Sequence, residues 1–179
     1  MQLVLFMGGM FSKGGTQSRK TGRLIFIFKE YSKRMKIIEP RSSEEFKKYY
    51  NLRYEILRKP WRQPKGSERD EDEDTSIHRM IIDEKIGEVL AVGRLQFNSA
   101  DEAQIRYMAV ADDLQGKGLG GQIISSLEDA ARGKGTQRVI LSARENALQF
   151  YRNNGYEIVK KTHLLFGEIQ HWLMKKELE

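Results

Sequence analysis

The chain has 179 residues, enough for one domain with its own core, and a formal net charge of +6. It contains no cysteine, which excludes a disulfide framework, a cysteine zinc site and a thiol nucleophile, and which suits the cytoplasm. The positive charge is local: residues 1–34 hold seven cations and one acid, while the remainder is neutral, so no overall basic field draws it to nucleic acid.

In residues 1–34, "MQLVLFMGGM" and "GRLIFIF" are apolar runs too short to span a bilayer, and the first lacks a basic flank and a small-residue cleavage site. No membrane partner is expected. The folded unit is expected over 35–179, with 1–34 an extension outside it; an added edge strand at "GRLIFIF" is the second reading. "KIIEP" then reads as a first strand.

"RSSEEFKKYYNLRYEILRKP" carries a capping box, Ser42 to Glu45, followed by Phe46, Tyr49, Tyr50, Tyr54 and Leu57 at helical spacing. Pro60 and Pro64 end that helix, and Trp61 between them either lines a binding site or caps the core. "GSERDEDEDTS", with six acids and one arginine, reads as a solvated loop. "HRMIID" and "EVLAVGRLQF" are strands around the turn "EKIGE", with His78 expected at the surface. "AQIRYMAV" is the third strand of an antiparallel meander. Alternation puts Arg106 and Met108 on one face, where a buried arginine needs a carboxylate partner.

The pattern then changes. Gly120 to Arg132 is helical, with Ile123, Ile124, Leu127 and Ala131 on one face and Gly133 and Gly135 closing it. "RVILSA" suits a buried strand. "NALQFYRNN" is a helix with Asn146 as N-cap and Gly155 past its end; of its adjacent rings, Phe150 is assigned to the core and Tyr151 to function. "YEIVKK" and "HWLMKKEL" are strands joined through "THLLFGEIQ". The order β-α-β-β-β-α-β-α-β-β defines an α/β fold with a mixed sheet covered on both faces.

"QGKGLGG" contains G-x-G-x-x-G at Gly116, Gly118 and Gly121. A dinucleotide site needs the first glycine at the strand end, yet Ala111 to Gln115 intervene, and the preceding strand closes a meander. A Walker loop needs Gly-Lys-Ser/Thr, which is absent. What remains is a loop rich in exposed N–H groups leading into a helix N-terminus, suited to a pyrophosphate, with Lys117 adding charge. A turn that binds nothing is the plainer reading, but each glycine costs folding entropy.

"QGKGLG" after "IRYMAV" resembles the Gln/Arg-x-x-Gly-x-Gly/Ala signature of the GCN5-related N-acetyltransferases, the GNAT superfamily. "ENALQFYRNNGYEIV" is similar to the family's next motif. The resemblance covers about 36–178 and implies an acyl-CoA N-acyltransferase fold, with acetyl-CoA as donor and direct acetyl transfer to an amine-bearing acceptor, a small molecule or a protein amine. By position it implies that the amides of Gln115, Gly116, Lys117, Gly118, Leu119 and Gly120 hold the pyrophosphate. Met108, Ala109 and Val110 would pair with the pantetheine arm where two strands splay apart, and an N–H near Ala109 would polarise the thioester. Asn146 would bond the arm, and Tyr151 would be the general acid toward the departing thiolate. No motif fixes the base; Glu102, Glu145, Glu168, His163 and His171 are candidates. Three scattered histidines lack metal-site spacing, so no metal is expected. A catalytically silent CoA-binding or scaffold module is the alternative reading. The family often dimerises, which leaves a homodimer open.

Overall fold

The computed structural model of the protein describes residues 34–179. The apolar runs before Arg34, and with them the expected extension and edge strand, lie outside the described residues. The strands are β1 (Met35–Ile38), β2 (Ile77–Asp83), β3 (Glu88–Phe97), β4 (Glu102–Val110), β5 (Arg138–Arg144), β6 (Glu157–Leu165) and β7 (Ile169–Glu177). The helices are α1 (Ser43–Leu57), α2 (Leu119–Arg132) and α3 (Leu148–Asn153). This is the expected order, gathered into one seven-stranded sheet, β1-β2-β3-β4-β5-β7-β6. Among the described residues only β4 and β5 pair in parallel. β6 and β7 extend further than expected, because Phe166 and Gly167, both at positive φ, confine the connection to a tight turn.

Helix α1 starts where its capping box dictates. The Glu45 N–H donates to Ser42 Oγ at 3.2 Å, and Glu45 Oε2 accepts from the N–H groups of Ser42 and Arg41 at 2.9 and 2.8 Å. Such a cap stabilises a helix by about 1 kcal/mol. The helix buries Tyr49 against Met80, Val92 and Ala109 on one face of the sheet, and the Tyr49 hydroxyl donates to Gly93 O at 3.0 Å.

Helix α2 covers the opposite face with the apolar stripe its periodicity predicts, Ile123, Ile124, Leu127 and Ala131 all buried. Gly93 permits the approach: a Cβ there would lie 2.6 Å from Ile123 Cγ2 and 3.0 Å from Leu127 Cδ1. Glu128, also buried, accepts from the Tyr156 hydroxyl at 3.0 Å and from Lys176 Nζ at 2.7 Å, which ties α2 to β7.

Helix α3 departs from expectation. Glu145–Ala147 form a 3₁₀ turn, α3 starts at Leu148, and no side chain caps it, so Asn146 is not the N-cap. Phe150 is 37% exposed rather than core, because its ring lies over Gly120, where a Cβ would come within 2.9 Å of Phe150 Cζ. No helix among the described residues is long and apolar enough to cross a membrane.

Candidate active site

β4 and β5 pair from Glu102↔Arg138 to Ile105↔Leu141 and then separate. β5 continues to Arg144 beside β7, and β4 continues to Val110 beside β3. The divergence begins at a β-bulge. Val92 opposes Ala109 and Arg94 opposes Arg106, so Tyr107 and Met108 together face Gly93, and Tyr107 takes φ +53. A bulge bends and twists its strand. It also resets the alternation: Arg106 and Tyr107 both reach Asp70 on the α1 face, while Met108 lies on the α2 face with Gly93, so Arg106 and Met108 do not share a side.

Past the bulge, the Ala111 N–H donates to Leu90 O at 2.9 Å. Alternation therefore turns the backbone polar groups of Val110, and of Met108 two residues earlier, toward the side β5 has left. Ala109 is buried and pairs with Val92.

After β4 the chain makes a 3₁₀ turn, Asp112–Leu114, and Gln115 folds back, its Nε2 donating to Val110 O at 3.3 Å and to Asp112 Oδ1 at 3.0 Å. Gly116 and Gly118 have φ of +74 and +83, with nothing within 4 Å of where a Cβ would stand. Conformation, not crowding, requires glycine at both, and the main chain there is open to approach. Gly116, Lys117 and Gly118 are exposed. The N–H groups of Leu119, Gly120 and Gly121 precede the first helical bond, Gln122 to Gly118 O at 3.2 Å, and no side chain caps α2. These donors, with the positive end of the helix dipole, sit beside the opened end of β4.

The acidic run is not a solvated face. Glu68 and Glu73 are buried and Asp70 is half-buried. Glu73 pairs with the fully buried Arg53 through both oxygens at 2.8 Å, and with the fully buried Arg94 at 2.7 Å. Asp70 accepts from both terminal nitrogens of Arg94, pairs with Arg106 at 3.2 Å, and accepts from the Tyr107 hydroxyl at 3.0 Å. The Arg53 guanidinium stacks 3.9 Å from the Tyr107 ring centroid. Burial pushes the Asp70 carboxyl up, but the Arg94 and Tyr107 hydrogen bonds outweigh it and hold the group at about 2. Asp70 is thus the carboxylate partner of Arg106, whose side chain is 38% exposed rather than buried. His78 joins the same cluster, buried rather than exposed, with Nε2 donating to Glu73 O at 2.8 Å.

Beyond Tyr107 lies a second group. The Tyr151 ring is half-buried between Phe150 and Tyr156, and burial raises its hydroxyl to about 12, with Arg144 opposing that rise. Arg144 stands at the end of β5, opposite His171 on β7, with its guanidinium 5.9 Å from the Trp61 ring. His171 is buried, and its Nδ1 lies 2.9 Å from Ile169 O, so Nδ1 carries the proton and Nε2 the lone pair. Burial, then the charges of His163, Arg144 and Arg58, hold His171 below the usual histidine range, partly offset by the Ile169 bond. His163 is exposed and stacks on His171 at 4.8 Å. Among the described residues no third ligand joins them as a metal site.

Of the other base candidates, Glu102 is at the far end of β4, bound to Arg138 at 2.8 Å. Glu145 and Glu168 are exposed, and so is Asn146. Sequence reasoning missed Arg53, Arg58, Arg94 and Arg144; the surplus of cations around "RKPWRQP" was the only signal for the second of these.

The profile of the acetyltransferase (GNAT) family matches residues 45–156. A Bacillus subtilis (strain 168) relative, the uncharacterized N-acetyltransferase YjcF, is 28% identical over 143 residues, which is 80% of this chain and all of that one. A GNAT family acetyltransferase from Elizabethkingia anophelis, solved with acetyl-CoA bound, is similar at TM-score 0.67 and 17% identity over 81% of this chain and 99% of the other. Escherichia coli ElaA is similar at TM-score 0.63 and 20% identity, over 80% of this chain and 98% of the other.

Proposed function

Since the chain belongs to the acetyltransferase (GNAT) family, we propose that it moves the acetyl group of acetyl-CoA directly to an amine in the opening between β4 and β5. The observation that carries this reading is the departure of β4 from β5 after Ile105, directly upstream of an exposed glycine loop and an uncapped helix N-terminus.

The exposed glycine loop and the N-terminus of α2 fit the donor substrate. The amides of Gly116 to Gly120, with Lys117 beside them, would receive an anionic pyrophosphate, while the expected Gln115 N–H is instead given to Asp112 O at 3.4 Å. Val110 and Met108 offer strand-like pairing to an extended arm, which shifts the expected thioester-polarising N–H from Ala109 to its neighbours. Ala109 contributes by packing, Leu119 by anchoring the loop in the core, and Asn146 is exposed at the lip of α3. Acetyl-CoA supplies an activated thioester. Tyr151 keeps its proton at neutral pH and donates a hydrogen bond where charge develops on sulfur. His171, uncharged at neutral pH with Nε2 unprotonated, accepts the proton of the incoming ammonium.

Calorimetry with acetyl-CoA, joined to a thiol-release assay over an amine panel, tests the reading. Heat of binding and turnover are expected, and Gly118→Val should abolish the heat, since a β-branched residue cannot hold φ +83 without strain. Deleting 1–34 should leave that heat intact. An absence of heat, or full uptake by the Gly118 variant, refutes the reading; binding without turnover on any amine assigns the scaffold role instead.

A further inference from the structure

Arg58 and Arg144 differ from the other arginines of this region. Arg53, Arg94 and Arg106 each reach a carboxylate within 3.2 Å. Arg58 instead donates through Nε to Ser67 O at 2.8 Å and through a terminal nitrogen to Leu57 O at 3.2 Å. Arg144 donates to the same Leu57 O at 3.4 Å. Two guanidiniums thus converge on one carbonyl oxygen, and neither forms an ion pair among the described residues.

The ordinary explanation is helix capping, because Leu57 O belongs to the last turn of α1. That explanation accounts for too little charge. A helix C-terminus carries roughly half a negative charge, against two full cations. Both side chains are half-buried, and burial lowers both guanidiniums from their ordinary values. The rings of Tyr107 and Phe166 face Arg58, with centroids at 5.4 and 5.6 Å, and Trp61 faces Arg144; the one acid acting on Arg58 is Glu68, which forms no ion pair with it and is engaged by the Gly66 N–H at 2.7 Å and by Arg69 at 3.5 Å. His171, registered against Arg144, is uncharged. Half-buried cations that repel each other across an aromatic surface await an anion.

We infer that the acceptor amine carries an anionic oxygen group, a carboxylate or a phosphate, held by Arg58 and Arg144. The inference rests on the acetyl-transfer reading, since it places that anion beside Tyr151 and His171, where the amine is to react. Guanidinium forks match both oxyanions, and Trp61 supplies a wall for the chain between anion and amine. Polycationic amines are repelled by the same pair.

Matched amines test this. The ω-amino acids from glycine to 5-aminopentanoate are compared with their primary amides, and aminoalkyl phosphates with the parent amino alcohols, by calorimetry on the CoA-saturated protein and by thiol release. The anionic members are expected to win by about 10- to 100-fold in kcat/KM, mostly through KM, as charge-assisted hydrogen bonds imply. That ratio should collapse toward unity in the double variant Arg58→Gln, Arg144→Gln. Arg58→Gln alone, which leaves β5 untouched, should lose part of it, and Arg58→Lys should recover some. The phosphate and carboxylate arms identify which oxyanion is bound. Equal handling of charged and neutral partners, preference for a polyamine, or a ratio unmoved by the variants overturns the inference while leaving acetyl transfer standing. Absence of acetyl-CoA heat defeats the transfer reading instead, and heats for anionic amines, measured separately, still decide for or against the arginine pair.

Discussion

Replacing Tyr151 by Phe deletes one oxygen from a ring that otherwise packs between Phe150 and Tyr156. The structure sets the size of the loss. Burial holds the Tyr151 hydroxyl at about 12, roughly 3.5 pH units above an ordinary thiol, so complete proton transfer to a thiolate is uphill by about 5 kcal/mol. A hydrogen bond donated to the developing sulfur charge needs no such transfer, and is worth about 1.5–3 kcal/mol. Tyr151→Phe should therefore lower kcat by about 10- to 150-fold, and acetyl-CoA affinity should stay within a factor of about two. The wild-type rate should show no alkaline limb owed to Tyr151 below about pH 11, because the phenol remains protonated there. Thiol release recorded from pH 6 to 10 for both proteins is the assay. A loss under twofold, a loss beyond about 10⁴-fold, or an alkaline limb near pH 8–9 that the substitution removes would each refute the reasoning.

Three further outcomes are expected. Glu73→Gln strips a buried carboxylate from Arg53 and Arg94 and should cost about 3–5 kcal/mol in urea unfolding, since it leaves buried cations underpaired. Asp70, held at about 2 against an ordinary 3.8, stabilises the fold above its unfolded value and loses that contribution as pH falls through the folded one; melting temperature should drop between about pH 4 and pH 2, less steeply in Asp70→Asn. The acidic limb of kcat/KM should lie below the ordinary histidine value of 6.5, because burial depresses His171, and His171→Gln should remove it.

The sequence is most legible where local rules decide. Ser42 and Glu45 announce the start of α1, the Ile123–Ala131 stripe its neighbour α2, and Gly116 and Gly118 the loop between β4 and α2. The site's acceptor side was less legible for a physical reason. Strand alternation assumes unbroken pairing, and the bulge at Tyr107 breaks it, so neither the partner of Arg106 nor the placement of Tyr107 follows from period two. The "ERDEDED" run reads as solvated by composition alone, because the arginines that bury it stand on α1 and β3, 20 and more residues away in sequence. Phe150 and Tyr151 are adjacent, and which ring is covered depends on Gly120 on another helix.

β4 joins the two halves of the site, and the bulge makes that joining possible. Without the extra residue, Tyr107 would point toward α2, where Ile123 and Leu127 crowd Gly93 and leave no room for a ring. Asp70 would then lose a hydrogen bond and Arg53 the closest of its stacking partners. Holding a tyrosine in the left-handed region costs about 1–2 kcal/mol. Its hydrogen bond to a charged acceptor returns about 1.5–3 kcal/mol, so the acidic loop offsets the strain. Carboxylates on a distant loop thereby support the bulge at which the backbone of β4 changes its alternation. Disrupting the Asp70–Glu73 cluster is therefore expected to weaken acetyl-CoA uptake, although no residue of that cluster lies in the glycine loop, and calorimetry of acetyl-CoA with Asp70→Ala checks this.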